Sequence, residues 1–154
     1  MIKILFVCLG NICRSPMAEY VMRDMVEKAG LSERFTIESA ATSPYEVGSP
    51  IYPPARKKLS RNGIDASPHR SRQIRQEDYD NYDLIIGMDA SNMRHMLRVF
   101  GGDDEGKLSL LLQHCGRSGD VADPWYTGDF DATWRDVNDG CRAILHALRT
   151  QYGW

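Results

Sequence analysis

The sequence predicts an α/β fold, a three-layer sandwich in which helices cover both faces of a four-stranded parallel β-sheet. Four short apolar runs alternate along the 154 residues with stretches whose apolar side chains recur at helical spacing. Connections of this kind are right-handed crossovers, which make neighbouring strands parallel. No repeat, low-complexity tract or composition change divides the chain, so we expect a single domain over residues 1–154.

The first half of the chain contains two predicted strands and two predicted helices. Residues 2–7 are a run of β-branched and aromatic side chains typical of a buried strand. Residues 16–29 carry apolar side chains at helical spacing, and Gly30 follows as a C-cap would. Residues 35–40 alternate in polarity, which predicts the second strand. A loop rich in proline and glycine then leads to a helix over residues 53–61.

The second half begins with a polar stretch over residues 65–81, in which we expect one short helical turn at most. Residues 82–88 are as apolar as the centre of a parallel sheet requires and predict the third strand. Asp89 or Ser91 is then placed to cap a helix that continues to Phe100.

The last quarter of the chain is predicted to hold one strand, one long loop and one helix. Residues 107–112 form the fourth apolar run, and residues 113–128 show no periodicity. From Phe130 to Leu148 one stripe of apolar side chains gives the strongest helical signal in the sequence.

Composition excludes several classes of protein. The formal net charge is -2, with 19 basic and 21 acidic side chains, so neither nucleic acid nor a membrane surface is an expected partner. No apolar run approaches the ~20 residues of a membrane span, and we expect a cytoplasmic protein. We interpret the four cysteines as reduced thiols, because a chain of this length needs no disulfide framework. Their spacing matches no metal site, and we expect no metal and no cofactor.

The turn between the first strand and the first helix carries the chemistry. Such a turn directs backbone N–H groups and the positive end of a helix at one point, which suits a dianion. Cys8 begins the turn, where a thiol readily becomes the nucleophilic thiolate. Five residues separate Arg14 from Cys8, and the planar guanidinium of Arg14 can donate hydrogen bonds to two phosphoryl oxygens at once. Gly10 and Asn11 tolerate the positive φ that such a curl requires, and Ser15 can donate its hydroxyl to the sulfur.

Residues 8–19, Cys-Leu-Gly-Asn-Ile-Cys-Arg-Ser-Pro-Met-Ala-Glu, resemble the signature of the low-molecular-weight protein tyrosine phosphatases. The resemblance covers essentially the whole chain and implies the flavodoxin-like phosphotyrosine phosphatase I fold. It also implies hydrolysis of phosphotyrosine and aryl phosphates through a phosphocysteine. The implied partners are phosphotyrosine-containing proteins or small aryl phosphates, and the implied assembly is a monomer or weak dimer. The residues implied to bind phosphate or support the turn are Leu9, Gly10, Asn11, Ile12, Cys13, Ser15, Ser39 and His69.

A phenolate leaving group needs a proton as it departs, since the pKa of free tyrosine is about 10. The sequence Asp-Pro-Trp-Tyr at residues 123–126 resembles the acid loop of the same family, which makes Asp123 the candidate general acid and later the base. Asp120, Asp129 and Asp131 are local competitors, and an aspartate taken alone is more often solvated than catalytic.

Three aromatic residues are candidates for the walls that hold a flat phenyl phosphate, namely Tyr45, Trp125 and Tyr126. Tyr45 stands where the family frequently has Trp, and Trp125 where Tyr is commoner. The alternative for each is an ordinary loop aromatic packed on the surface.

The resemblance assigns a supporting role to four polar residues that hydrogen-bond one another beneath the turn, Asn11, Ser15, Ser39 and His69. The sequence alone favours a polar loop histidine at position 69, so the supporting role of His69 rests on the resemblance. The resemblance gives only weak support for a role of Asp89 in the site, because a helix cap explains this residue equally well.

Three other functions share parts of this pattern. A protein arginine phosphatase tends to have Thr at position 12, so Ile12 favours phosphotyrosine. A thioredoxin-coupled arsenate reductase needs further cysteines near the middle of the chain, and residues 66–100 contain none. A phosphate-binding module without activity is disfavoured by the presence of all three candidate catalytic residues.

Cys13 has no part in the phosphoryl chemistry. The sequence suggests that it is a resolving thiol, which forms a disulfide with Cys8 under oxidation and so protects the nucleophile. The alternative is a small apolar residue packed under the loop.

Overall fold

The structure is a computed structural model that describes residues 1–154. Its centre is a four-stranded, all-parallel sheet with the strand order β2-β1-β3-β4, which confirms the predicted fold class. Cys8 is the last residue of β1 and pairs with Ala41, the last residue of β2. The nucleophile candidate therefore lies at the carboxyl edge of the sheet. The strands are β1 (Ile2–Cys8), β2 (Phe35–Ala41), β3 (Leu84–Gly87) and β4 (Leu108–Leu110).

Helices cover both faces of this sheet. The long helices α1 and α6 and the shorter α2 pack on one face around a core of 25 buried residues, whereas α4 packs on the other around seven. None of the helices is both long enough and apolar enough to cross a membrane. The helices are α1 (Arg14–Lys28), α2 (Pro53–Ser60), α3 (Asp78–Asn81), α4 (Ala90–Phe100), α5 (Pro124–Thr127) and α6 (Phe130–Tyr152).

Several predicted boundaries were wrong. The fourth strand ends at Leu110 instead of residue 112, because Leu111–Cys115 form a 3₁₀ helix that buries Leu111 completely beneath α6. Its side chain fills the space over Gly140, where an added Cβ would lie 2.5 Å from a Leu111 methyl carbon. The predicted loop over residues 113–128 therefore contains the rest of this helix and also α5.

The first and second crossovers also differ from expectation. α1 begins at Arg14, two residues before the predicted start at residue 16. β3 is shorter than residues 82–88, because the Tyr82 amide closes α3 by donating to the Asp78 carbonyl. The helical turn of the polar stretch, expected around residues 75–79, lies slightly later, at Asp78–Asn81.

Candidate active site

The turn between β1 and α1 wraps around the sulfur of Cys8. Asn11 has the positive φ of 56° that this curl requires, and it is the sole non-glycine residue in that region. The backbone amides of Asn11 and Ser15 donate to Cys8 Sγ over 3.3 and 3.4 Å. Cys8 is buried, with 3 % of its surface exposed, so these amides are close donors to a sulfur that is shielded from bulk water.

A directed chain of hydrogen bonds reaches the sulfur from the side of α1. Glu19 Oε1 accepts from the Ser39 hydroxyl over 2.6 Å, and the Asn11 side-chain amide donates to Ser39 Oγ over 2.9 Å. The same amide donates to Ser15 Oγ over 2.7 Å. The Ser15 proton is therefore free to point at Cys8 Sγ, which lies 3.0 Å away.

Glu19 determines which group donates in each of these hydrogen bonds. The sequence analysis did not identify this residue. It is 5 % exposed and pairs with Arg23 over 2.7 Å. Burial raises the pKa of Glu19 in spite of the hydrogen bond from Ser39 and the charge of Arg23. The available signal was its position four residues after Ser15, which puts both side chains on one face of α1.

The carbonyl groups of the turn point outward because surrounding segments supply donors to them. His69 Nε2 lies 2.7 Å from the Asn11 carbonyl, which can only accept, so this nitrogen carries the proton. Burial lowers the pKa of His69 and keeps the ring neutral. With these carbonyls held outside, the Asn11 and Ser15 amides donate to the sulfur. The other carbonyl–donor pairs are Leu9 with Ser43 Oγ, Gly10 with Ser71 Oγ, and Ile12 with the Tyr52 amide.

Arg14 lies under the turn with 2 % of its surface exposed. Its Nη1 donates to Asp89 over 2.7 Å and to the Val121 carbonyl over 3.0 Å, and Nη2 lies 3.4 Å from Asp123. Burial lowers the pKa of Arg14, but the nearby sulfur and carboxylates outweigh burial and raise it above the ordinary value. Its Nε is buried without a hydrogen-bond partner, so the guanidinium has a spare donor for an anion.

Asp89 has two roles that the sequence presented as alternatives. One carboxylate oxygen accepts from the Asn92 amide over 2.7 Å and caps α4, and the other accepts from Arg14. The carboxyl end of β3 is thereby tied to the turn that follows β1.

Asp123 is the one candidate acid that faces the cleft. Its Oδ1 accepts from the Trp125 amide over 3.0 Å and caps α5, which leaves Oδ2 beside Arg14. The three competing aspartates are engaged elsewhere: Asp120 accepts from the Ala90 amide, Asp129 caps α6, and Asp131 pairs with Lys58.

A cleft of about 180 Å³ opens above the turn, and its lining includes both Cys8 and Asp123. The three predicted wall residues line it as well, with Tyr45, Tyr126 and Trp125 exposed at 86 %, 76 % and 52 %. Trp125 is the best supported of them, since its ring centroid lies 4.7 Å from that of Tyr52.

Cys13 lies in the lining of the same cleft and is buried, with 4 % exposed. All four cysteines are free thiols. Burial, the nearby Cys8 and Asp123 raise the pKa of Cys13, so this thiol stays protonated. No group of three or more His, Cys, Asp or Glu side chains is arranged to hold a metal ion.

Comparison with known proteins gives a consistent result. The family model for "Low molecular weight phosphotyrosine protein phosphatase" matches residues 3–152. The chain is 37 % identical over 153 residues to the low molecular weight protein-tyrosine-phosphatase YfkJ of Bacillus subtilis, with 98 % of each chain covered. It is 40 % identical over 148 residues to the human low molecular weight phosphotyrosine protein phosphatase, with 93 % of each covered.

Solved structures agree with these relatives. The crystal structure of YfkJ matches with a TM-score of 0.95, covering 98 % of this chain and 96 % of that one. A structure described as drosophila arginine phosphatase matches with a TM-score of 0.86 at 29 % identity, covering 96 % and 98 %. The resemblance inferred from residues 8–19 is confirmed by the match over nearly the whole chain. The protein belongs to the low-molecular-weight phosphotyrosine protein phosphatase family.

Proposed function

We propose that this protein hydrolyses phosphotyrosine and other aryl phosphates through a phosphocysteine on Cys8, with Asp123 as general acid and base. The observation that carries the proposal is the set of donors on the Cys8 sulfur, two backbone amides and the Ser15 hydroxyl. These donors stabilise a thiolate both as attacking group and as leaving group.

In the first step the phosphoryl dianion occupies the turn, held by inward-facing amides and Arg14. The Cys8 thiolate attacks phosphorus, the S–P bond forms, and the bond from phosphorus to the phenolic oxygen breaks. Asp123 in its acid form gives its proton to that oxygen, so phenol leaves and a carboxylate remains. The place of Asp123 in the lining of the same cleft as Cys8 supports this role.

In the second step the Asp123 carboxylate takes a proton from a water molecule that attacks the phosphocysteine. The S–P bond breaks, inorganic phosphate forms, and the sulfur returns to the thiolate stabilised by its three donors. Arg14 contributes in both steps, because its planar guanidinium can keep hydrogen bonds to the equatorial oxygens in the transition state.

Aryl specificity is supported by the aromatic lining of the cleft and by Ile12, which lines it too. The second candidate is a protein arginine phosphatase, since one matching structure carries that description. A flat ring between Tyr45, Trp125 and Tyr126 would be better enclosed than a flexible guanidinium chain. We further propose a cytoplasmic location, because a free thiolate nucleophile requires a reducing compartment.

Purified protein should release phosphate from phosphotyrosine and 4-nitrophenyl phosphate, with far less from phosphoarginine and no reduction of arsenate. A chelator should leave the rate unchanged, because Arg14 and the amides already neutralise the dianion. Parallel assays of the three compounds, with and without chelator, measure this. Faster release from phosphoarginine than from phosphotyrosine would replace the proposal with the arginine phosphatase.

Mild peroxide should inactivate the enzyme reversibly by forming a disulfide between Cys8 and Cys13. Peroxide oxidises the Cys8 thiolate to a sulfenic acid, and the Cys13 thiol displaces water from it to form the S–S bond. A thiol reductant then restores both cysteines. Peptide mapping should find the linked pair, and Cys13→Ser should turn recoverable inactivation into permanent loss. If the Cys13→Ser variant recovers as fully as the unmodified protein, Cys13 has no protective role.

A further inference from the structure

A second groove adjoins the catalytic cleft. It has a volume of about 710 Å³ and shares three lining residues with the cleft, Ile12, Glu46 and Trp125. The remainder of its lining comes from residues 50–53 and from one face of α2 and its C-terminal end. A polypeptide whose phosphorylated side chain enters the cleft can therefore extend into this groove.

The helical wall of the groove is basic. Arg56, Lys57 and Arg61 line it, all three are exposed, and none of them forms an ion pair. The neighbouring Lys58 points elsewhere and is neutralised by Asp131. Asp65 lies close enough to interact electrostatically with Arg56, and Asp131 with Arg61. Three cations without an ion-pair partner still favour a positive potential beside the mouth of the anion-binding cleft, in a protein whose net charge is -2.

The packing of α2 fixes this basic face in place. Ala55 and Leu59 are completely buried in the main core, so the opposite side of the helix is held toward solvent. Lys57 and Arg61, the C-cap of α2, are four residues apart and so lie on one face, about 6 Å apart along the helix axis. Two residues of an extended peptide span about 6.6 Å, so side chains at alternate positions could each meet one cation.

One acidic residue, Glu46, lies at the junction of the groove and the cleft, where it accepts a hydrogen bond from Ser49 over 2.9 Å. It disfavours a carboxylate placed directly beside the phosphate. Farther along, toward α2, the lining contains no acid. The ring of Trp125, which packs against Tyr52, forms the surface between the two regions.

We propose that this groove binds acidic side chains that flank the phosphotyrosine in a protein substrate, with Arg56, Lys57 and Arg61 as the residues that select them. The inference rests on the proposed function and adds a substrate class to it. Exposed ion pairs of this kind contribute little individually, so we expect a preference of roughly 3- to 10-fold in kcat/KM. The preference should weaken as salt screens the charges.

The test compares phosphotyrosine peptides that carry Glu at alternate positions, on the N-terminal or the C-terminal flank, with matched peptides that carry Gln. The groove variant combines Arg56→Gln, Lys57→Gln and Arg61→Gln. A matched control combines Lys28→Gln, Arg94→Gln and Arg98→Gln, which removes the same charge from α1 and α4 away from the groove. The ratio of kcat/KM for the Glu peptide to that for the Gln peptide is measured at low and high salt.

We expect the unmodified protein and the control variant to prefer Glu on at least one flank, and the groove variant to lose this preference. A groove variant that keeps the full preference, or an unmodified protein that shows none on either flank, would overturn the inference. 4-Nitrophenyl phosphate separates this failure from that of the proposed function, since it has no flanking residues. Hydrolysis of that compound without a peptide preference would refute the groove alone, and no hydrolysis would refute both.

Discussion

Cys8→Ser is expected to lower kcat on 4-nitrophenyl phosphate by at least about 10⁴-fold, in effect abolishing turnover. The hydroxyl that replaces the thiol would have the same neighbours, two backbone amides and Ser15, but an alcohol is not ionised by them at neutral pH. No phosphoenzyme can then form. Release of phosphate, followed over hours at high enzyme concentration, measures the loss.

The same variant should still bind inorganic phosphate, because Arg14 and the inward-facing amides are unchanged. Phosphate binding can be followed as an increase in thermal stability. Cys115→Ser is the matched control, since that thiol donates to the Leu112 carbonyl outside the cleft, a bond that serine can keep. Substantial residual activity in Cys8→Ser, with Cys115→Ser fully active, would show that Cys8 is not the nucleophile.

Asp123→Asn is expected to lower kcat on phosphotyrosine by about 10²- to 10⁴-fold, the usual range for loss of a general acid. The asparagine oxygen can still accept from the Trp125 amide, so the cap of α5 survives and the change isolates the proton transfer. The deficit should shrink for activated leaving groups, which depart without a proton. A series of phenyl phosphates with leaving groups of increasing pKa measures this dependence.

Asp129→Asn makes the same chemical change in the same part of the chain. Asp129 caps α6 through the Ala132 amide, and its substitution should leave the leaving-group dependence unaltered. If Asp123→Asn slowed a nitrophenyl and an alkylphenyl ester equally, Asp123 would be structural and a neighbour such as Asp120 would supply the proton.

The elements that the sequence predicted well are those with a repeating pattern. The apolar run of β1 and the long stripe of α6 follow from periodicity alone. The end of β4 does not follow from periodicity. Leu111 and Leu112 continue the apolar run, although they belong to a 3₁₀ helix. An apolar side chain indicates burial, but whether it is buried by a strand or a turn depends on what packs above it, in this case Gly140 of α6.

The candidate site shows the same division. The turn from Cys8 to Ser15 is contiguous, so its candidate residues could be named from residue types and spacing. The spacing of Glu19 from Ser15 was a weak signal by itself, because the hydroxyl from which Glu19 accepts belongs to Ser39 on β2, 20 residues later in the sequence. Ser43 and Ser71 gave no signal either, since nothing in a lone serine indicates that it will hold a carbonyl of the turn.

Those outward-held carbonyls make the anion site a late product of folding. Their donors are distant in sequence: 34 residues separate Leu9 from Ser43, 61 separate Gly10 from Ser71, and 58 separate Asn11 from His69. Closing such loops costs entropy before the contacts stabilise anything, so non-local contacts of this kind form slowly. A nascent chain that has exposed only β1 and α1 already carries Cys8 and Arg14 but lacks the frame that turns the amides inward. Activity during synthesis or refolding should therefore appear only with the native state. We expect phosphate to bind that state alone and to shift the folding equilibrium toward it.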